Sequence, residues 1–108
     1  ADLLRDVDHP RLRTCLDVGH AHIFSSPQYP FEYWLQTMQP WLTEIHMNNN
    51  NGIIDEHHGF NWEKGVLDYH QLLPMIRRVN PDVDLVLEMD HVDDMRDSLS
   101  YFRIEELA

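Results

Sequence analysis

Along this chain the apolar positions switch between two spacings, every second residue and every third or fourth, and the switch recurs three times. Leu3, Leu4 and Val7 are spaced as on a helix end over residues 1–7, stopped at Asp8-His9-Pro10 because proline disfavours helix in the residue before it. Residues 12–18 read as a short strand, with Leu12, Thr14 and Leu16 toward one side and Arg13, Cys15 and Asp17 toward the other. Residues 19–30 read as a loop with Ser25, Ser26 and Pro27 as turn formers. The helix expected over 31–38 carries Phe31, Trp34, Leu35 and Met38 on one stripe, and Pro40 closes that unit. A second strand over 42–47 sets Thr43, Ile45 and Met47 against Leu42, Glu44 and His46. After a long loop over 48–65, opened by Asn48-Asn49-Asn50-Asn51-Gly52, a helix is expected over 67–79 on Leu72, Leu73, Ile76 and Val79. Pro74 falls near its first turn or bends it, and Asn80-Pro81 ends it. A third strand over 84–89 alternates Leu85, Leu87 and Met89 with Asp84, Val86 and Glu88, and a third helix over 92–107 gathers Met95, Leu99, Phe102 and Ile104.

Three strand-then-helix units in succession predict an α/β fold with a parallel sheet and right-handed crossovers. Asp17, His46 and Glu88 end the three strands, on the face where such folds keep their ligands. A free three-stranded sheet would leave two open edges and one poorly covered face, an aggregation hazard. The pattern therefore predicts a partial barrel: three parallel β/α units of a larger (β/α)8 barrel, forming a single domain over residues 1–108.

Length and charge narrow the chemistry. The 108 residues suffice for one small domain with a modest core. With 19 Asp and Glu against 8 Lys and Arg, the net charge of −11 repels phosphate backbones, which disfavours nucleic acid as a partner. Cys15 is the only cysteine, so no internal disulfide forms, and no apolar run approaches a signal core or a membrane span. A reducing, cytoplasmic setting is the expectation. Eight histidines make the net charge sensitive to pH.

Carboxylates and imidazoles dealt out strand by strand read as a metal site: Asp17 and His20, then His46, then Asp55 and His57 in the loop, then Glu88. Such donors suit Mn²⁺, Co²⁺, Zn²⁺ or Fe²⁺, and the lack of paired thiolates excludes a structural zinc finger. Taken singly, Asp17 serves equally as a loop cap, and Asp55 and His57 as ordinary loop residues. Trp62 is either packing or a platform for an apolar sugar face, and Asn48 to Asn51 either a polar turn or a source of amide contacts to hydroxyls.

These segments resemble the last three strands of the xylose isomerase-like barrels, which include sugar (phosphate) isomerases and epimerases and endonuclease IV. "LDVGHAH" is similar to the family's Asp-x-x-His after strand six, "EIHMNNN" to its His-ending strand seven, "DEHHGF" to its Asp-x-His loop and "LVLEMD" to its Glu-ending strand eight. Where the family has Gly-Glu-Gly after that loop, this chain has Asn61-Trp62-Glu63-Lys64-Gly65. The resemblance implies a divalent metal (Mn²⁺, Co²⁺, Zn²⁺ or Mg²⁺) on Asp17, His46 and Glu88. His20 would be a substrate contact or a second-metal ligand, and Asp55 and His57 would add ligands in the endonuclease branch. It implies proton transfer next to a carbonyl of a sugar or sugar phosphate through a metal-stabilised enediolate, with Glu88 and His20 as the catalytic pair and His20, Trp62 and Asn48 as substrate contacts. Two alternatives stand beside it: an endonuclease IV-like zinc-dependent phosphodiesterase, and a non-catalytic, self-associating barrel fragment. The earlier barrel strands, which supply a further glutamate ligand, have no counterpart here, so turnover by this chain alone is not expected. Partnership with a missing N-terminal half-barrel, or self-association, is.

Overall fold

The computed structural model describes residues 1–102. Its elements run α1 (Asp2–Val7), β1 (Thr14–Asp17), α2 (Val18–Ile23), α3 (Phe31–Met38), a 3₁₀ turn (Gln39–Trp41), β2 (Leu42–Met47), α4 (Tyr69–Val79), β3 (Asp84–Leu87) and α5 (Val92–Leu99). The three strands form one parallel sheet in the order β1-β2-β3, as the alternation predicts. This is an α/β architecture with an open sheet, consistent with part of a TIM barrel.

The register explains the two faces. Leu16 pairs with Ile45 and Ile45 with Leu85, while Met47 pairs with Leu87. With side chains alternating along each strand, these residues share one face. They join a core with Leu35 of α3, Leu73 and Ile76 of α4, and Val18 and Ala21 of α2; Ile45, Met47 and Leu35 are fully buried. The opposite face carries Cys15, Asp17, Glu44 and His46, with Cys15 and Glu44 in register and Asp17 level with His46.

Several boundaries differ from expectation, each for a local reason. Residues 19–30 are not all loop, because α2 starts at Val18, directly after β1. Its first turn is capped by the Asp17 carboxylate, which accepts from His20 N at 2.9 Å, and it buries Val18 and Ala21. A six-residue helix containing Gly19 has little apolar periodicity of its own, so cap and burial decide it. That cap also trims β1 at Val18, and β1 begins at Thr14 rather than Leu12. Helix α4 starts at Tyr69, because Asp68 caps it by accepting from His70 N at 2.9 Å. Pro74 is thereby inside the helix, beyond its first turn. Glu88 and Met89 lie just past β3. Helix α5 ends at Leu99, with Ser98 as its buried residue, and Ile104, expected on its stripe, lies outside the described residues.

The long loop is pegged by its asparagines. Asn49 and His58 form an antiparallel bridge through two backbone hydrogen bonds, of 2.9 and 3.0 Å. Buried Asn49 then uses its whole carboxamide: Nδ2 donates to Phe60 O (3.0 Å) and Leu67 O (3.2 Å), and Oδ1 accepts from Asn50 N (3.0 Å) and Leu67 N (3.1 Å). A Cβ at Gly65 would collide with this carboxamide, so the residue there has to be glycine. Asn50 Nδ2 reaches Gly19 O at 3.1 Å, and the buried Tyr69 hydroxyl accepts from Asn48 N (3.0 Å) and donates to Asn48 O (2.5 Å). Phe60 lies flat on Tyr69, with ring centroids 3.6 Å apart.

Asn49→Ala should strand two buried amides and two carbonyls at once. A loss of about 3 kcal/mol is expected from the cost of unpaired buried polar groups. Urea unfolding monitored by tryptophan fluorescence measures it, and a loss below about 1 kcal/mol would show that water replaces the carboxamide.

Candidate metal centre

Parallel pairing brings all three strand ends to one edge of the sheet. Asp17 ends β1 level with His46, and Glu88 continues the ladder one residue past β3 by donating its N–H to Met47 O at 3.0 Å. The pegged loop carries Asp55 and His57 over the same edge, where Asp90 N donates to His57 O at 3.2 Å. One donor atom each from Asp17, His57 and Glu88 then lie within 4.8 Å of one another, a spacing that one divalent cation could bridge. All three residues are partly buried.

Around this trio, acids and imidazoles alternate. Asp17 Oδ1 lies 3.4 Å from His20 Nδ1, and His20 Nε2 lies 2.7 Å from Asp55 Oδ2. Asp55 Oδ1 is 3.3 Å from His57 Nε2, and His57 Nδ1 is 3.7 Å from Glu88 Oε1. Glu88 Oε2 approaches His46 Nδ1 at 2.6 Å, and His46 Nε2 meets Glu44 Oε1 at 2.7 Å. Four carboxylates thus face three imidazoles, an excess of negative charge that favours protons on the rings or a bound cation. The hydrogen bond that His20 donates to Asp55 raises the His20 pKa, and those that His46 donates to Glu44 and then to Glu88 raise that of His46. Asp55 is correspondingly lowered, chiefly by His20. Burial and then the charge of Glu44 push the Cys15 thiol up, away from a reactive thiolate.

The residues expected at the site divide by position. Asp17, His57 and Glu88 converge directly. His46 adjoins them through Glu88, with carboxylates on both ring nitrogens, and His20 and Asp55 form the outer link. Asn48 is 1% exposed and sits beneath the site, its Nδ2 directed at Asp17 Oδ2 at 3.4 Å, while its buried Oδ1 has no hydrogen-bond partner among the described residues. A Cβ on Gly19 would collide with Asn48 Oδ1 and with Asn50 Nδ2, so the start of α2 needs a glycine to approach this closely. Trp62 stacks on His58 with centroids 3.6 Å apart. Sequence reasoning missed Glu44, although the period-two pattern already placed it on the face of His46.

Residues 1–105 match the xylose isomerase-like TIM barrel family. An uncharacterized protein of Methanocaldococcus jannaschii is 25% identical over 93 residues, covering 86% of this chain and 31% of that protein. The chain thus spans about a third of the length of the curated relative it matches. No solved structure matches it significantly. No helix among the described residues is long and apolar enough to cross a membrane.

In the metal-free protein, NMR titration should place the His20 pKa above 6.5, and Asp55→Asn should bring it back toward that value. The raised histidine stabilises the fold below about 6.5 and loses that contribution as pH rises through its folded value. The lowered Asp55 stabilises above about 3.8 and loses its contribution as pH falls through its folded value. Wild type and Asp55→Asn should therefore differ most in stability between these two values. A difference as large outside that window as inside it would mean that the pair is not ionic.

Proposed function

The chain belongs to the xylose isomerase-like TIM barrel family, and from that premise we propose that it forms the metal-binding, C-terminal portion of a divalent-metal-dependent sugar (phosphate) isomerase or epimerase. One observation carries the reading: donor atoms of Asp17, His57 and Glu88 converge within 4.8 Å at the strand ends, next to His46. The donor set fits the group, since carboxylate and imidazole suit Mn²⁺, Co²⁺ or Zn²⁺ and the local excess of negative charge calls for a cation. Asp17, His57, Glu88 and His46 would hold the ion, with Asp55 steering His57.

A divalent ion there supplies electrostatic stabilisation for negative charge that develops on adjacent substrate oxygens. The chain's own residues do the rest. Glu88 would take the proton from the carbon beside the carbonyl and return it to the neighbouring carbon in an isomerisation, whereas inversion at the same carbon calls for a second acid on the opposite face; general base action of this kind contributes roughly 10²–10⁴-fold. His20, about half exposed, with its pKa raised by the hydrogen bond it makes to Asp55, would offer a donor to the substrate oxygen. Trp62 covers the apolar face of the sugar with the indole side turned away from His58. Asn48, too buried to meet substrate, orients the Asp17 carboxylate instead. An exposed Cys15 thiol suits a reducing compartment, and the reading places the activity in the cytoplasm.

Calorimetric titration of this chain with Mn²⁺ and then Zn²⁺ tests the site. Binding near one ion per chain is expected, with a loss of at least about tenfold in Asp17→Ala and Glu88→Ala, the scale of removing one charged ligand. The full-length protein should interconvert a ketose with its epimer or aldose, and Glu88→Gln should reduce kcat by about 10²-fold or more. Metal-independent turnover, or cleavage of a phosphodiester in its place, would overturn the reading.

A further inference from the structure

One of the short contacts at the site belongs to a residue outside the converging trio. Glu44 Oε1 lies 2.7 Å from His46 Nε2, while the other ring nitrogen, Nδ1, lies 2.6 Å from Glu88 Oε2. Glu88 in turn contributes a donor atom to the group it forms with Asp17 and His57. The two nitrogens of His46 therefore face different ways: Nδ1 toward the strand-end cluster and Nε2 back along β2.

We infer that Glu44 is the positioning residue of His46, accepting from Nε2–H so that Nδ1, which hydrogen-bonds Glu88 in the metal-free chain, is the nitrogen turned toward a metal beside Glu88. The inference rests on the proposed metal site. An imidazole binds a cation through one nitrogen only when the other keeps its proton, and a carboxylate on that second nitrogen fixes both the tautomer and the ring orientation. Strand geometry makes Glu44 suited to this. It precedes His46 by two residues, so the pleat puts both side chains on the same face, one step apart. Its in-register neighbours are Cys15 on β1 and Asp84 on β3, a weak donor and a like charge, so the imidazole is the favourable partner on that face.

The fold gains little from this pair. The side chains of Glu44 and His46 are 44% and 30% exposed, and ion pairs so placed contribute little to stability. A contact this short with so small a structural return is explained by its effect on Nδ1.

The test starts with ¹⁵N NMR of the histidine rings in the chain loaded with one equivalent of Zn²⁺. Wild type should show His46 coordinated through Nδ1 with its proton on Nε2. Glu44→Ala should mix coordination through the two nitrogens, and Glu44→Gln, which retains an acceptor oxygen, should fall between them. Calorimetry with Zn²⁺ alone should then show affinity lower by about 10–100-fold in Glu44→Ala, the range for losing such a partner. Asp84→Asn removes an acid from the same face with no bond to His46, and its affinity should stay within about threefold of wild type, as expected for a screened surface charge. Coordination of wild-type His46 through Nε2, an unchanged affinity in Glu44→Ala, or an equal loss in Asp84→Asn would each overturn the inference. If wild type binds no Zn²⁺ yet the metal-free chain shows a hydrogen-bonded His46 Nε2–H signal that Glu44→Ala loses, the metal reading fails and the positioning contact stands.

Discussion

A loop that runs from Asn48 to Asp68 across the ends of a parallel sheet must bury backbone, and backbone N–H and C=O groups cannot be buried unpaired. The fold meets that constraint with side-chain amides. Asn49 serves four backbone groups, Asn50 ties the loop to Gly19 of α2, and the Tyr69 hydroxyl both accepts from and donates to the Asn48 backbone. Once the loop is fixed at those points, the position of His57 follows, because it neighbours the Asn49–His58 bridge and its carbonyl accepts from Asp90 N. The site depends on this arrangement, since without it Asp55 and His57 would have no defined distance to Asp17 and Glu88.

Electrostatics supplies the second requirement. Bringing four carboxylates together in a chain of net charge −11 is unfavourable unless positive charge arrives with them. The alternation of acid and imidazole provides it locally, since each histidine lies between two carboxylates, and the raised pKa values of His20 and His46 are its signature. Protons and a divalent ion are alternative ways to neutralise the same group. On the proposed reading a divalent ion would displace protons from the rings it takes as ligands.

The sheet and its polar edge were legible because strands impose a period of two and end at polar residues: Asp17, His46 and Glu88 stand out at matching places in three similar runs. Helix α3 was legible from Phe31 to Met38 for the same kind of reason, an apolar stripe closed by Pro40. Helix α2 was not, because six residues with a glycine among them owe their conformation to the Asp17 cap and to burial of Val18, neither of which shows in a pattern. The closeness of His57 to Asp17 was equally hidden, since forty residues separate them and the asparagines that set the distance look in sequence like any polar turn. Asn48 shows the limit from the other side: its type suggested contact with hydroxyls, yet only its burial assigns it to Asp17.

The coordination arithmetic points beyond these residues. A divalent ion such as Mn²⁺ or Mg²⁺ takes about six donors; Asp17, His57 and Glu88 converge as three, and His46 would be the fourth on the proposed reading. A sugar substrate with adjacent oxygens can supply two more, which suits an ion whose open positions are where chemistry occurs. The polar sheet face beneath the site, with Cys15 exposed and Glu44 half exposed, is the side a closed barrel would turn inward. The edges of β1 and β3 have no strand partners among the described residues, and unpaired edges of this kind are resolved by further strands. On the proposed reading, strands paired to the edges of β1 and β3 would curve around the polar face that carries Glu44 and His46, and the same closure would enclose a substrate.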